Sequence, residues 1–242
     1  MYQPDDDLQL PHRRTRIWRY IDFPTLLCML QRRELFFRSI GRMRDPYDGD
    51  IREDVYGRYW EWEMGLPPDE PAPGVIGGRH VRQAVREFTC INCWHMNSAE
   101  SAAMWALYSP NYGIAIRSTI GRLIRSFRTS PTAIAIGAVQ YINFDSPRRR
   151  EASLIASPLY VKRTSFEHER ELRAAILEPS VFKEKLPGKG VETDVAVLIE
   201  KIFTSPLVAG SWLTDVVREE LRLHGLHGVE VIHSPLYSRD LG

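Results

Sequence analysis

Apolar positions along this chain follow two rhythms, and the places where one gives way to the other mark the expected elements. Arg16-Ile17-Trp18-Arg19-Tyr20 reads as a strand. After Asp22, a side chain suited to capping a helix, Leu26, Leu27 and Leu30 suggest a short helix that runs into a second strand, Leu35 to Ser39. GRMRDPYDGD, residues 41 to 50, is a turn or surface loop, because Gly, Asp and Pro break both rhythms. Residues 1 to 15 are polar, carry Asp5, Asp6 and Asp7, and are expected as a flexible arm. PPDEPAPGVIGG, residues 67 to 78, is expected as a loop or lid, followed by a short helix with Val81, Val85 and Phe88 on one face.

Further on, Phe88 to Trp94 reads as a buried strand. A helix capped near Asn97 or Ser98 follows, with Glu100 in its first turn, Met104, Trp105 and Tyr108 inside, and Pro110 as its stop. Tyr112 to Arg117 alternates as a strand, Ile120 to Phe127 is helical, and Ala133 to Tyr141 is a strongly apolar strand. Helices are predicted within Phe166 to Leu177, over Asp194 to Glu200, and over Ser211 to Leu223, the last closed by Gly225. Lys201 to Thr204 and Val229 to His233 are short strands. Short strands mixed with short helices, without a regular β-α-β repeat, predict an α+β fold: one domain over residues 16 to 242, with a mixed, mainly antiparallel sheet flanked by short helices.

Composition narrows the function classes. The chain has 242 residues, 43% hydrophobic and 26% charged, with net charge +1, as in water-soluble globular proteins. No apolar run approaches the roughly 18 residues of a membrane span, and MYQPDDDLQL is acidic where a secretory signal would be basic, so a cytoplasmic protein without a membrane partner is expected. The near-neutral sum argues against duplex nucleic acid as the main partner. Of the 32 basic residues 27 are Arg, a bias that suits a phosphate-bearing ligand and equally a GC-rich genome.

Three cysteines cannot build a disulfide framework. Cys90-Ile-Asn-Cys93 has half the spacing of a zinc site but no second half, and on a strand the two thiols face opposite ways, so they read as buried structural residues and no structural metal is expected. Asp45, Asp48, Asp50, Glu53 and Asp54 form an acidic turn without calcium-loop spacing. SPRRRE, residues 146 to 151, is either a solvated loop or a phosphate contact. No P-loop, dinucleotide fingerprint or nucleophile elbow is present. The most informative segment is Lys162 to Arg173. On a strand or extended turn, Glu169, Glu171 and Arg173 would share one face, a setting for general-base or cation-stabilising chemistry; on a helix the two carboxylates would splay about 200° apart as a solvated surface.

IWRY, LFFRS and DPYD (17 to 20, 35 to 39, 45 to 48), MWALYSPNYGIAI (104 to 116), VQY (139 to 141), FEHERELR (166 to 173) and IFTSP (202 to 206) together resemble the prokaryotic family catalogued as domain of unknown function 2971. The match departs at Met43-Arg44 and at Trp94-His95. In outline that layout is similar to ADP-ribosyltransferases and related NAD-cleaving folds. The resemblance implies NAD as substrate, with Glu171 stabilising the oxocarbenium-like state, Glu169 activating the acceptor and Arg19 clamping the pyrophosphate. It places Tyr20 and Ser39 on the nucleotide wall, and Tyr20 or Tyr108 against nicotinamide. It further implies a toxin or phage-defence effector acting on a protein or nucleic-acid acceptor. Two rival readings arise from the residues: a nuclease with Mg²⁺ on Asp45, Asp48, Glu169 and Glu171, and a non-enzymatic interaction module whose charges are structural ion pairs.

Overall fold

The computed structural model describes residues 1–5, 8–49, 86–109, 111–143 and 158–238. The loop at 67 to 78, the helix with Val81 and Val85, the SPRRRE loop, Pro110, and Asp6, Asp7, Asp50, Glu53 and Asp54 lie outside the described residues.

The chain opens with the elements its pattern predicts. Strand β1 (Arg16–Asp22) leads into helix α1 (Phe23–Arg32), and the Asp22 carboxylate accepts from the Thr25 amide at 2.8 Å. Strand β2 (Glu34–Ser39) returns after Arg33 turns the chain in the left-handed region, φ 54°. Then come β3 (Thr89–Met96), α2 (Ala102–Tyr108), β4 (Gly113–Thr119), α3 (Ile120–Ser126), β5 (Ala135–Ala138), β6 (Gln140–Ile142) and β7 (Val161–Arg163). A 3-10 turn (Thr164–Glu169) feeds β8 (Glu171–Leu177), followed by α4 (Pro179–Lys183), β9 (Gly188–Glu192), α5 (Val195–Leu198), β10 (Lys201–Thr204), α6 (Trp212–Leu223) and β11 (Glu230–His233).

The main sheet runs β11-β10-β4-β1-β3-β2-β9, with β8 on β3 and β5 on β8; its ladders are antiparallel apart from β10 with β11. This is the α+β, mainly antiparallel architecture that the pattern predicts. One junction breaks its regularity. Strand β3 pairs with β8 from Thr89 to His95, but its other edge is shared: Trp18 and Ile17 of β1 pair with His95 and Met96, whereas Arg38 and Ser39 of β2 pair with Ile91 and Cys90. Between these pairings β1 and β2 diverge, and side chains supply the missing ladder bonds: Asn92 donates to the Phe36 carbonyl and Arg19 to the Cys93 carbonyl. The sheet therefore splits beside the middle of β3.

One face of the sheet is the main core, where Ile17, Phe37, Cys90, Trp94, Leu172 and Ile176 pack with Leu26 and Leu30 of α1 and Leu123 of α3. No helix among the described residues is long and apolar enough to cross a membrane.

Several expectations change. Phe166 to Leu177 is no helix: its first half is a 3-10 turn and its second half is an interior strand, where pairing on both edges overrides the helix preference of Glu, Leu, Arg and Ala. The helix after β3 is capped by Ser101, whose hydroxyl accepts from Met104, and not by Asn97 or Ser98. The run Ala133 to Tyr141 breaks at Val139, because β5 pairs with β8 and β6 with β7. The described residues of the first fifteen, expected as a loose arm, are tied to the domain: the Gln3 amide donates to Ile134, Ala138 donates to Gln9, and Leu8 is buried. Their backbone meets the free edge of β5 at Ala138 and, just before the strand, at Ile134.

Candidate functional site

The split in the sheet opens a cleft of about 220 Å³ on the face away from the main core. Trp18, Arg19 and Tyr20 of β1, Ile91, Cys93 and His95 of β3, Tyr108 at the end of α2, Lys162 of β7, and Glu169 and Glu171 line it.

Local backbone explains how two carboxylates two residues apart come to the same place. Glu169 ends a 3-10 turn, Arg170 takes the left-handed region at φ 41°, and Glu171 begins β8. That conformation is costly for a residue with a Cβ, of order 1 kcal/mol, and it persists because the turn is fastened. The Arg170 carbonyl accepts from the Met96 amide, and the Glu169 carbonyl lies 2.6 Å from Nδ1 of His95. Since a carbonyl only accepts, Nδ1 carries the hydrogen. Among the described residues the buried His95 Nε2 has no hydrogen-bond partner, and burial lowers the imidazole pKa, so the ring is neutral near pH 7.

Both carboxylates converge on Lys162, whose Nζ is 2.5 Å from Glu169 and 3.4 Å from Glu171. Asp48 completes the group at 3.6 Å from Nζ and 2.9 Å from the Arg173 guanidinium. The DPYDG turn delivers it: the Tyr47 amide donates to the Asp45 carboxylate, and Gly49 turns away at φ 66°, where a Cβ would stand 2.9 Å from Ile40. Arg173, wholly buried, holds Glu171 with two hydrogen bonds, Nε to Oε1 at 2.7 Å and Nη2 to Oε2 at 3.0 Å. Burial would push the Glu171 carboxyl up, yet Arg173 and Lys162 overcome it and hold the group at about 2. Burial likewise opposes the charge on Lys162, and the three carboxylates outweigh it, so the ammonium persists. Tyr108, half exposed at the rim, donates to Glu169 at 2.8 Å, and burial with that carboxylate raises its phenol well above the usual range. The result is a buried ionic cluster that forms one wall of a cleft whose other walls mix aromatic and aliphatic side chains with Arg19 and Arg38.

Of the residues singled out in the sequence, Glu169, Glu171, Arg19, Tyr20 and Tyr108 meet at this cleft. Arg19 sits in the split and also lines a second cavity, about 310 Å³, with Cys28 and Arg32 of α1 and Phe36 of β2. Tyr20 accepts from the Ser101 amide through its hydroxyl. Ser39 is placed elsewhere: buried in β2, its hydroxyl donates to the Glu87 carbonyl, and it takes no part in the cleft. Asp45 pairs with Arg163. Cys90 points into the core and Cys93 into the cleft, where it lies beside Glu171. Lys162, His95 and Tyr141, whose hydroxyl accepts from the Glu171 amide at 2.8 Å, carry no role legible in the sequence pattern. A Lys on a short strand ahead of a carboxylate pair is the available signal for Lys162; His95 stands two residues after the Cys90–Cys93 pair and Tyr141 ends the VQY stretch, and neither position indicates its partner.

The nuclease reading requires Asp45, Asp48, Glu169 and Glu171 around a cation. Three of them do gather, but around the Lys162 ammonium and the Arg173 guanidinium, and among the described residues no group of three or more His, Cys, Asp and Glu side chains is arranged to hold a metal ion.

No family model and no curated protein matches the sequence. Among solved structures, Thermus sp. 2.9 DarT in complex with ADP-ribosylated ssDNA aligns with a TM-score of 0.43 at 11% identity, covering 94% of this chain and 97% of its own. The same protein in complex with carba-NAD+ aligns with a TM-score of 0.43 at 10% identity, covering 92% and 97%. At those values the likeness decides neither the fold nor the chemistry.

Proposed function

We propose that the cleft binds NAD and breaks its nicotinamide–ribose bond, passing ADP-ribose to water or to a macromolecular acceptor. The observation that carries the reading is the wall built by Glu169 and Glu171, the second held ionised by Arg173 and Lys162, facing a cleft lined by Trp18, Tyr20 and Tyr108. Breaking the C–N bond sends its electron pair out with neutral nicotinamide and leaves positive charge on the ribose. Fixed negative charge in a poorly solvated cleft lowers that barrier without reorganising. Aromatic rings supply stacking surface for the nicotinamide. Arg19 stands between this cleft and the second cavity, where a guanidinium suits a pyrophosphate joining the two halves of a dinucleotide. The acceptor then adds to the ribose carbon and loses its proton. With water as acceptor the protein is an NAD glycohydrolase; with a protein or nucleic acid it is an ADP-ribosyltransferase, a chemistry suited to a toxin or phage-defence effector.

The test is nicotinamide release from NAD by purified protein, with and without cell lysate as a source of acceptors. Release by the native protein that is abolished in Glu169→Gln/Glu171→Gln, with the variant still folded by circular dichroism, is the expected result. No release under either condition overturns the reading.

A further inference from the structure

Lys162 stands on β7, which pairs with β6 in a two-stranded ribbon separate from the main sheet. The main ladder therefore does not fix its ammonium beside the carboxylates. The DPYDG turn grips this strand at two consecutive residues. Asp45 pairs with Arg163 at 2.9 Å, and the Arg163 guanidinium lies 4.9 Å from the centre of the Tyr47 ring. Asp48 makes the inner clasp, 3.6 Å from Lys162 and 2.9 Å from Arg173. The outer clasp is partly solvated, since the Arg163 side chain is 34% exposed, whereas Asp48 is 2% exposed. Two cations, Lys162 and Arg173, already match Glu169 and Glu171, so Asp48 is a third carboxylate in a place where every ion is costly.

We propose that Asp48 is a positioning residue for nicotinamide release: it shares the positive charge of Lys162 and Arg173, so that their pairing with Glu169 and Glu171 leaves the cluster with one negative charge in excess. The inference rests on the NAD-cleaving reading and deepens it. Two carboxylates cancelled by two cations would present little field to a ribose gaining positive charge. A third carboxylate behind the same cations restores that field, and in a poorly solvated site it acts without touching substrate. The turn places it, because the outer clasp of Asp45 on Arg163 and the inner clasp of Asp48 on Lys162 hold neighbouring residues of one strand.

The experiment measures nicotinamide release from NAD by native protein, Asp48→Asn, Lys162→Met, the double variant Asp48→Asn/Lys162→Met, and Asp45→Asn. Arg19 and Arg38 are common to all of them. Asp48→Asn is expected to lower kcat roughly 10-fold, with KM within about twofold. In the double variant two carboxylates face one cation and the excess charge returns, so its kcat should rise roughly fivefold or more above that of Asp48→Asn, although a second buried partner has been removed. A merely structural Asp48 predicts the opposite, a double variant as slow as Asp48→Asn or slower. Asp45→Asn opens the outer clasp without altering the cluster and gives the size of a purely structural loss. Thermal melts report folding, and Asp48→Ser replaces Asp48→Asn should that variant not fold. A double variant without recovery, or a loss in Asp45→Asn equal to that in Asp48→Asn, overturns the assignment while leaving NAD cleavage intact. Absence of nicotinamide release from the native protein removes the parent reading, and the assignment falls with it.

Discussion

The two faces of β8 offer the sharpest contrast in the molecule. Leu172, Ala174 and Ile176 face the main core, Glu171, Arg173 and Ala175 face the other way, and all six are buried. On the first face stability comes from apolar area removed from water, which is forgiving of shape. On the second it depends on charges that must find one another, because an ion left alone in such a place costs several kcal/mol. Alternating polarity along a strand ordinarily separates inside from outside; here it separates a dry core from an ionic one. The ionic face is also the one that borders the cleft, so the protein places desolvated charge where its proposed chemistry needs a field.

The contrast predicts different responses to substitution. The largest effect is expected from Arg173→Ala, which strands Glu171 and Asp48 without their guanidinium and should cost about 3–5 kcal/mol in urea unfolding. A cost below about 1 kcal/mol, the range of solvated ion pairs, would mean that the two faces are alike. Leu172→Ala, across the strand at 0% exposure, should cost about 2–4 kcal/mol, with nicotinamide release per folded molecule unchanged. Lost activity in that variant would blur the division between the faces.

The smallest and most diagnostic effect is on pH dependence. Glu171 is held at about 2 in the folded protein, below the ordinary Glu value of about 4.3 in an unfolded chain. A depressed carboxyl contributes stability that is complete above the unfolded value and is lost as pH falls through the folded one. The urea midpoint should therefore drop between about pH 4.5 and about pH 2. Leu172→Ala should keep that slope, and Glu171→Gln should flatten it; an unchanged slope in Glu171→Gln would show that Glu171 carries none of it.

Much of the layout is legible in the sequence wherever one element dictates itself. Asp22 followed by Leu26 and Leu30 locates α1, Lys201 to Thr204 appears with those bounds, and Gly225 closes α6 in the left-handed region at φ 78°. Pattern fails where partners decide. Glu171 to Leu177 consists largely of good helix formers, and only pairing with β3 and β5 on its two edges makes it a strand. Strand β9 escapes notice because Gly188 and Gly190 lack the side chains that advertise a strand; Gly188 is needed there, since a Cβ would stand 2.1 Å from the Phe37 carbonyl oxygen. For the site, Glu169, Glu171, Arg19, Tyr20 and Tyr108 are legible as types suited to one chemistry. Ser39 is drawn in by its position in the pattern and lies buried in β2.

By itself, then, the sequence determined the elements that caps and turns close, such as α1, β10 and α6, together with the fold class and the chemical character of the carboxylate segment, because caps, turns and periodicity act over a few residues. Tertiary structure alone decided that β1 and β2 part beside β3 and that Lys162, Asp48 and Arg173 close around the carboxylates. It also decided that Glu171 takes two hydrogen bonds from Arg173 while Glu169 is held by Tyr108 and Lys162. Those outcomes depend on which distant groups share a low-dielectric space, where a charge is stable only with its partners in place, and no local pattern records that.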